Sequence, residues 1–517
     1  MKNSKQTFKR IIAVALAGVS ALSLASCGGN DNATGGKLKY WVRLSGNIAT
    51  SVTNYAETPL GQELSKRTGI EIEYIHPAQG QEKEALNLLL ASGNLPDIIE
   101  TDWLSRNPES MLDKKTIINL NDVIANNAPN LKAYLDANPD VDTMIKTDNG
   151  NYYAFPFVRD GGKLLNVSGF MLRDDWMQEL GLEYPETIDE WENVLTAFKE
   201  KKGATTPYIG TMGEMNWFAN AFDATPGFYV DNGTVKYGVM QEGFGEFLKT
   251  MNQWYNKGLI DKNFATVDTK YKNSCVLDEK AGAVFGSGGS GLGAWITSAK
   301  ANGIDGFSLK AVKYPVKNKG DLPKFTNREW RYSQLNGAAI TSNCKNVELA
   351  AKFLDYSYSE EGAMLNNFGI EGESYTMVDG NPVYTEKITK NPDGLPMSQV
   401  LSMYVRSSTE GPFIQDERYI SQYYQLQEQR DALDVWGQNV SQDWKMPMVT
   451  LTSEEQAEYS RIITDFQTFQ TENVTAFIMG SRPISEFETF VQECKDRDIE
   501  RAIEIYQAAY DRYINRK

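Results

Sequence analysis

The sequence predicts an α/β protein with two packed lobes, each built on a doubly wound sheet. Three observations predict this fold class. The chain has 517 residues, too many for a single hydrophobic core. Its content of 41% hydrophobic and 23% charged residues is typical of an ordinary globular protein. Strand signals alternate with helix signals through its N-terminal part, and tight turns separate them.

The first segment resembles a secretory signal. An apolar run over residues 11–24 follows a group of basic residues, Lys2, Lys5, Lys9 and Arg10. The run is too short for a stable membrane span, so we expect residues 1–26 to be a signal peptide. Leu24–Cys27 resembles a bacterial lipobox, which implies that Cys27 is lipidated and becomes the mature N-terminus; the alternative is an ordinary signal followed by a free cysteine. Residues 27–36 are a flexible tether by composition.

The elements after the tether follow the pattern of a doubly wound sheet. The signals run strand, helix, strand, helix, strand over residues 37–42, 58–68, 70–75, 85–91 and 97–100. Gly69 ends the first helix. Ligands bind beyond the carboxyl ends of strands in such sheets, so residues 43–47 and 101–106 are the expected ligand loops.

Later stretches add hairpins and helices. Asp148–Asn151 predicts a turn before a strand over residues 152–157; its side chains suggest calcium, but their spacing is not that of an EF-hand loop. Thr187 and Glu190 form a capping box at a helix start. The remaining predictions are a helix ending at Gly181, a hairpin turning at Asp231–Gly233, and helices over residues 244–257 and 348–357.

Charge and histidine content exclude several classes of function. The chain has 68 acidic and 52 basic side chains and a net charge of -16, which would repel nucleic acid. The single histidine, His76, stands at the end of a predicted strand, so we expect a structural role. Catalytic triads and histidine-rich zinc sites are therefore excluded. Cys275, Cys344 and Cys494 are odd in number and allow at most one disulfide; we expect all three to be buried as small apolar residues.

Several stretches, in this order, resemble the extracellular solute-binding proteins of ABC importers in the large maltose-binding-protein-like family. They are residues 88–99, 173–191, 280–286, 338–362 and 506–513. The sequence departs from the family where Ile188 replaces a frequent tryptophan, which stands here at position 191. The C-terminal stretch resembles a long lipoprotein branch of Firmicutes that is associated with oligosaccharide uptake.

The resemblance implies a type II periplasmic-binding-protein-like fold, in which two lobes close over a ligand about hinge segments. The implied crossings lie near residues 155–156, 312–315 and 369–373. The expected lobes are residues 37–155 with 313–370, and residues 156–312 with 371–517. The closed form would pass a carbohydrate to an ABC permease that is energised by an ATPase. A lipid-anchored monomer on the outer face of the cytoplasmic membrane, with no cofactor and no metal, is the expected state.

A sugar site needs aromatic platforms for the ring faces and hydrogen-bonding groups for the hydroxyls. Position in loops after predicted strands indicates the candidate ligand-binding residues. They are Arg43, Asp102, Trp103 and Arg106 in the first lobe, Glu214, Asn216, Trp217, Ser287 and Trp295 in the second, and Trp330 and Glu371 near the crossings. Their alternatives are structural. The arginines would only cap their own loops, Trp330 would cover a sheet, and Glu371 would bond the hinge. Trp176, Trp191 and Trp254 are expected in the core.

Two other classes of function stay open. An exported glycoside hydrolase needs only two carboxylates and no histidine. A peptide receptor or sensor would use the same fold without import. The glycan also stays open, and arginines near the predicted loops keep an acidic one among the alternatives.

Overall fold

The computed structural model describes residues 36–406, 411–438 and 440–516, except for the side chains of residues 334–336. Cys27 and the expected signal peptide, residues 1–26, lie outside the described residues. Within the described ranges, no helix combines the length and the apolar character that crossing a bilayer would require.

The strands of the described chain form two larger sheets and two hairpins. Strands β1 to β14 span, in chain order, Lys37–Trp41, Glu71–Ile75, Ile98–Thr101, Phe155–Asp160, Ser168–Arg173, Tyr208–Ile209, Phe228–Asp231, Thr234–Tyr237, Ala283–Ser287, Leu309–Ala311, Tyr332–Ile340, Tyr375–Val378, Asn381–Tyr384 and Ile414–Asp416. The first sheet has the order β14-β4-β11-β3-β1-β2, and the second has the order β10-β5-β9-β6. The hairpins are β7-β8 and β12-β13.

Helices cover both sheets. Helices α1 to α21 span, in chain order, Pro59–Thr68, Glu82–Ser92, Pro108–Asp113, Asn121–Asn127, Pro129–Ala137, Pro139–Ile145, Asp174–Leu180, Ile188–Lys202, Met212–Met215, Glu242–Lys257, Thr269–Leu277, Ala294–Ala301, Val347–Tyr356, Glu360–Phe368, Glu386–Thr389, Met397–Tyr404, Glu417–Tyr423, Gln427–Gly437, Ser453–Met479, Phe487–Lys495 and Ile499–Ile514.

The pairing directions bring several strand ends to one edge of the first sheet. Strand β1 is parallel to β2 and β3, and β11 runs antiparallel between β3 and β4. Strand β14 is parallel to β4. The carboxyl ends of β1, β3, β4 and β14 therefore share an edge with the amino end of β11. In the second sheet, β6 is parallel to β9 while β5 is antiparallel to it, so β6 and β9 also end at one edge.

Each sheet has its own hydrophobic core. Tyr40, Ile98 and Phe155 are buried in the first. The second core contains the three tryptophans that were expected there, Trp176, Trp191 and Trp254. A third cluster joins Phe368, Tyr404, Tyr419 and Tyr424 and packs the hairpin β12-β13 against α16 and α17. The chain thus has two lobes and an additional packed module.

Several predictions from local sequence signals are confirmed. Thr58 caps α1 by accepting a hydrogen bond from the backbone N–H of Gly61 at 2.9 Å, and Gly69 ends the helix at a φ of 68°. The Thr187 capping box is present. His76 ends β2 and has a structural role, because its Nδ1 lies 2.7 Å from the Val42 carbonyl oxygen. The three cysteines are buried and free.

The structure differs from the expected lobe division at its boundaries. Strand β4 stays in the first sheet through Asp160, and the chain enters the second sheet only at Ser168. It returns between Ala311 and Tyr332. Strand β14, which the division placed in the second lobe, pairs with β4 in the first sheet. Its position depends on backbone hydrogen bonds between segments far apart in sequence, which local patterns do not reveal.

The C-terminus bonds to the predicted turn at Asp148. The Arg512 Nε donates a hydrogen bond to Asp148 Oδ2 at 2.6 Å, and Arg516 bonds the other carboxylate oxygen. The turn is confirmed by a hydrogen bond of 2.9 Å from the Thr147 N–H to the Asn151 carbonyl. Among the described residues, no group of three or more His, Cys, Asp or Glu side chains is placed to hold a metal ion.

Candidate ligand-binding cleft

Two cavities lie beside the segments that connect the two larger sheets. The first, which we call the tyrosine cavity, has a volume of about 280 Å³. Arg159 of β4 and Gln415 of β14 line it from the first sheet, and Ser287 at the end of β9 lines it from the second. Tyr423 and Tyr424, at the end of α17, add aromatic rings. The cavity therefore lies at the carboxyl ends of strands from both lobes, where α/β sheets bind ligands.

A glycine-rich turn lets the backbone approach these rings. Residues Gly288–Gly293 form one π-helical turn after β9. A Cβ atom at Gly288 would lie 2.8 Å from a ring carbon of Tyr424, which real contacts do not allow. The Gln429 Nε2 also donates a hydrogen bond to the Gly288 carbonyl at 2.8 Å. The glycine at position 288 is thus required by close packing, and π turns are frequent at functional sites.

A small pocket extends the tyrosine cavity toward the end of β1. It shares Gln415 and Tyr423 with that cavity and adds Asn47, which lies in one of the expected ligand loops. Arg406 also lines it and donates a hydrogen bond to the buried Glu100 at 2.5 Å.

The second cavity, which we call the tryptophan cavity, has a volume of about 370 Å³, within the range of small-molecule sites. Trp217 and Trp444 line it. Trp217 is stacked on Phe285 of β9, with an interplanar angle of 14°. The backbone carbonyl of Trp444 accepts a hydrogen bond from the Val230 N–H at 3.0 Å. Both indoles are therefore held by the second lobe, and both remain partly exposed.

An ion pair between buried Arg159 and partly exposed Glu329 joins segments that lie beside the two cavities. Arg159 lines the tyrosine cavity, and its guanidinium lies 2.5 Å from the carboxylate of Glu329. The neighbouring Arg328 lines the tryptophan cavity. The Glu329 N–H donates a hydrogen bond to the Leu165 carbonyl at 2.8 Å, which ties together the two segments that connect the lobes. Both cavities therefore lie beside the interlobe crossings, and we call the two together the cleft.

Burial changes the ionisation of groups in the cleft. Desolvation lowers the pKa of Lys445 to about 8 and lowers the pKa of Arg328. The Lys445 ammonium donates a hydrogen bond to the Arg328 carbonyl oxygen. Burial raises the pKa of the Tyr424 hydroxyl, which is therefore protonated at neutral pH. The cleft can offer neutral hydroxyls, cationic donors and aromatic faces to a ligand.

Two of the sequence-predicted site residues line the cavities, and two others are buried. Ser287 lies in the tyrosine cavity and Trp217 in the tryptophan cavity. Trp103 is only 1% exposed, and its indole donates a hydrogen bond to the Ile99 carbonyl at 3.2 Å. Trp295 is 3% exposed and bonds Asn273. In this structure neither indole has a free face for a ligand, because each packs beneath the loop that was expected to present it.

Three other predicted residues bond to neighbouring protein groups. Asp102 accepts a hydrogen bond from the Ser105 N–H at 3.1 Å, and Arg106 donates to Asn87 at 3.1 Å. Glu214 pairs with Lys272 at 2.5 Å.

The remaining predicted residues lie outside the lining of both cavities. They are Arg43, partly buried just after β1, Asn216 in a short 3-10 helix, Trp330 beneath the Lys445 ammonium, and Glu371 on an exposed loop. Their roles as ligand contacts stay predictions.

Several residues that line the cleft are not among the predicted site residues. They are Arg159, Tyr423, Tyr424, Arg328, Trp444 and Lys445. The sequence signals that could have identified them are the two adjacent tyrosines, Tyr423 and Tyr424, and the tryptophan shortly before Pro447.

Comparisons with known proteins agree on one family. The sequence profile of bacterial extracellular solute-binding proteins matches residues 49–364, more than half of the chain. The chain is 25% identical over 482 residues to the fructooligosaccharide ABC transporter substrate-binding protein FusA of Streptococcus pneumoniae, covering 87% of this chain and 86% of that one. It is 24% identical over 338 residues to the polygalacturonan/rhamnogalacturonan-binding protein YtcQ of Bacillus subtilis, covering 61% and 63%.

Solved structures give the same result for the fold. The crystal structure of the alginate-binding protein AlgQ2 without calcium ion matches with a TM-score of 0.75 and 27% identity, covering 93% of this chain and 99% of that one. The structure of FusA in complex with kestose matches with a TM-score of 0.73 and 23% identity, covering 93% and 100%. The expected type II fold of two α/β lobes is confirmed.

Proposed function

This chain belongs to the bacterial extracellular solute-binding protein family, and we propose that it captures an oligosaccharide in its interlobe cleft and delivers it to an ABC permease. One observation carries the proposal. Aromatic rings and hydrogen-bonding groups line two cavities beside the segments that connect the lobes, and strand ends from both lobes line the tyrosine cavity. Three relatives whose names specify fructooligosaccharide, polygalacturonan and alginate support a glycan as the ligand class.

Closure of the two lobes over the ligand is the mechanism of capture. Sugar ring faces stack on Trp217, Trp444 and Tyr423, while Ser287 and Gln415 offer hydrogen bonds to hydroxyls. A ligand that contacts both lobes favours the closed form by its additional affinity for that form. The segments over residues 160–168 and 311–332 connect the sheets and absorb the rotation. The closed surface is then presented to the permease, whose ATPase partner drives transfer.

A lipid on Cys27 would hold the protein at the outer face of the membrane, close to the permease, so that modest affinity gives useful capture. We expect the Cys27→Ser variant to leave the membrane fraction and appear in the culture medium, and to lose incorporation of labelled palmitate. Retention of Cys27→Ser on the membrane would contradict lipid anchoring at this residue.

Binding without hydrolysis is the second part of the proposal. Glycoside hydrolysis uses a pair of carboxylates at the scissile bond. No Asp or Glu stands among the described residues that line the two cavities. That composition favours a binding protein over the glycoside hydrolase alternative.

The test is a thermal-shift screen of the full chain, purified in detergent, against neutral and acidic oligosaccharides and peptides. A ligand specific to the folded state raises the unfolding midpoint by mass action. We expect one glycan to raise it and to be recovered intact, and Trp217→Ala to reduce the shift. Tyr510→Ala, at a partly exposed aromatic residue that lines neither cavity, is the control. A cleaved glycan would indicate a hydrolase. A shift with peptides alone would indicate a peptide receptor or sensor.

A further inference from the structure

Cations gather at the cleft of a chain that is acidic as a whole. The sequence has 68 acidic and 52 basic residues. Three basic residues, Lys324, Arg328 and Lys445, nevertheless line the tryptophan cavity, with no Asp or Glu among its described lining. Arg159 is the charged residue that lines the tyrosine cavity. The charge balance of the cleft is thus opposite to that of the chain.

Two of these cations, Arg328 and Lys445, form no salt bridge with a carboxylate of the described residues, although the charge of the nearby Glu329 raises the pKa of Lys445. Lys324 pairs with Asp223 at 3.1 Å, and Arg159 pairs with Glu329. No carboxylate of the described residues lies within 4.0 Å of the Arg328 guanidinium or the Lys445 ammonium. The guanidinium also donates no hydrogen bond to another described residue, while the ammonium donates to a backbone carbonyl.

Keeping these two charges partly buried has a cost. Desolvation disfavours the charged form, and it is the first cause of the lowered pKa of both Lys445 and Arg328. Buried cations are normally paired, because a buried charge without a partner is destabilising. A ligand that carries a negative charge would supply the missing partner.

Aromatic rings lie beside the same cations. The Lys324 ammonium lies 4.5 Å from the ring centroid of Trp444, and Trp217 lines the same cavity. Indole faces are suited to pyranose rings, while a guanidinium fork matches the two oxygens of a carboxylate. Phosphate or sulfate alone would not contact the indole faces, and a neutral sugar alone would leave the Arg328 guanidinium without a salt bridge to a described residue.

We infer that the tryptophan cavity binds a uronic acid unit of an oligosaccharide, with its ring against Trp217 or Trp444 and its carboxylate on Arg328 and Lys445. The inference rests on the proposed function and specifies its ligand class. The rest of the glycan extends past the Arg159–Glu329 pair into the tyrosine cavity, where Tyr423 and Tyr424 receive further units.

The test is calorimetric titration of the full chain in detergent with a galacturonate trimer and with the same trimer after its carboxyl groups are reduced to alcohols. We expect the acidic trimer to bind about tenfold more tightly or better, since charged hydrogen bonds contribute 1.4 kcal/mol or more. Added salt should weaken binding of the acidic trimer alone.

Substitutions in the tryptophan cavity test whether the preference for the acidic trimer arises there. Arg328→Gln and Lys445→Gln should each lower affinity for the acidic trimer about tenfold and leave the reduced trimer unaffected. Arg328→Lys should retain part of the affinity, and thermal unfolding of each variant confirms that it is folded. Lys310→Gln, which removes an exposed charge that lines neither cavity, is the matched control and should change nothing.

Several results would overturn the inference. The charges of the cavity would have no role in binding if both trimers bound with equal affinity. The same conclusion would follow if Lys310→Gln and Arg328→Gln lowered the affinity for the acidic trimer equally. Tighter binding of a sulfated trisaccharide would indicate that the cavity recognises a sulfate group and not a carboxylate. If a neutral glycan from a parallel panel binds and no uronate does, the inference fails while the proposed function stands. If no glycan of either kind binds, the proposed function fails as well.

Discussion

Replacing Glu329 with glutamine would remove the carboxylate that neutralises a buried arginine between the two cavities. Arg159 is 4% exposed, while the side chain of Glu329 is 34% exposed. Breaking a fully buried pair costs about 3–5 kcal/mol, because the remaining charge stays buried without a partner. Since a third of Glu329 is in water, solvent screens part of this interaction, and we expect Glu329→Gln to lower the free energy of unfolding by about 2–3 kcal/mol.

Urea unfolding followed by circular dichroism measures the change. Glu386→Gln, in the exposed pair with Lys390, is the control and should leave the free energy of unfolding nearly unchanged, because water and salt screen exposed pairs. The double variant Arg159→Met with Glu329→Gln should recover most of the loss, because it leaves no buried charge. A loss in Glu329→Gln no larger than in the control, or no recovery in the double variant, would refute the reasoning.

Other consequences follow from the packing and the charges. A Cβ atom at Gly169 would lie 2.3 Å from the Trp436 indole, so Gly169→Ala should cost about 1–3 kcal/mol in thermal unfolding, whereas Gly162→Ala, with open space around it, should not. Because burial lowers the pKa of Lys445 to about 8, its ammonium is charged below that pH and neutral above it. Affinity for an acidic glycan should fall as pH rises through about 8, and Lys445→Met should abolish this dependence in titrations at several pH values. Trp444→Ala should weaken glycan binding about tenfold, as loss of a central aromatic contact does, and unchanged affinity would exclude stacking there.

The order of local elements could be predicted from the sequence because its determinants are local. Thr58 and Gly69 mark the two ends of α1, and the Thr187 capping box starts α8. The hairpin at Asp231–Gly233 appears as expected between β7 and β8. Each of these features depends on hydrogen bonds within a few residues, which composition and spacing determine.

The cleft was predicted less completely, because it is formed by segments that are distant in sequence. Loops after strands were the right type of location, and two residues chosen on that basis, Trp217 and Ser287, do line the cavities. Trp103 follows a strand as well, but it turns beneath its loop into the core. The segment that contains Trp444 and Lys445 has no strand before it, so the rule for strand ends could not select it.

The strand order of the first sheet determines when this sheet can form during synthesis of the chain. Its interior strand β11 comes from residues 332–340, and its edge strand β14 comes from residues 414–416. Strand β3 therefore lacks its second partner, and β4 lacks both of its partners, until much later residues have been synthesised. Such non-local pairing makes folding slow. For a protein of an extracellular family, this delay is useful, because a chain that crosses a membrane through a channel has to arrive there unfolded. The first sheet is completed only after β11 and β14 have been made, and this late completion is compatible with export of an unfolded chain.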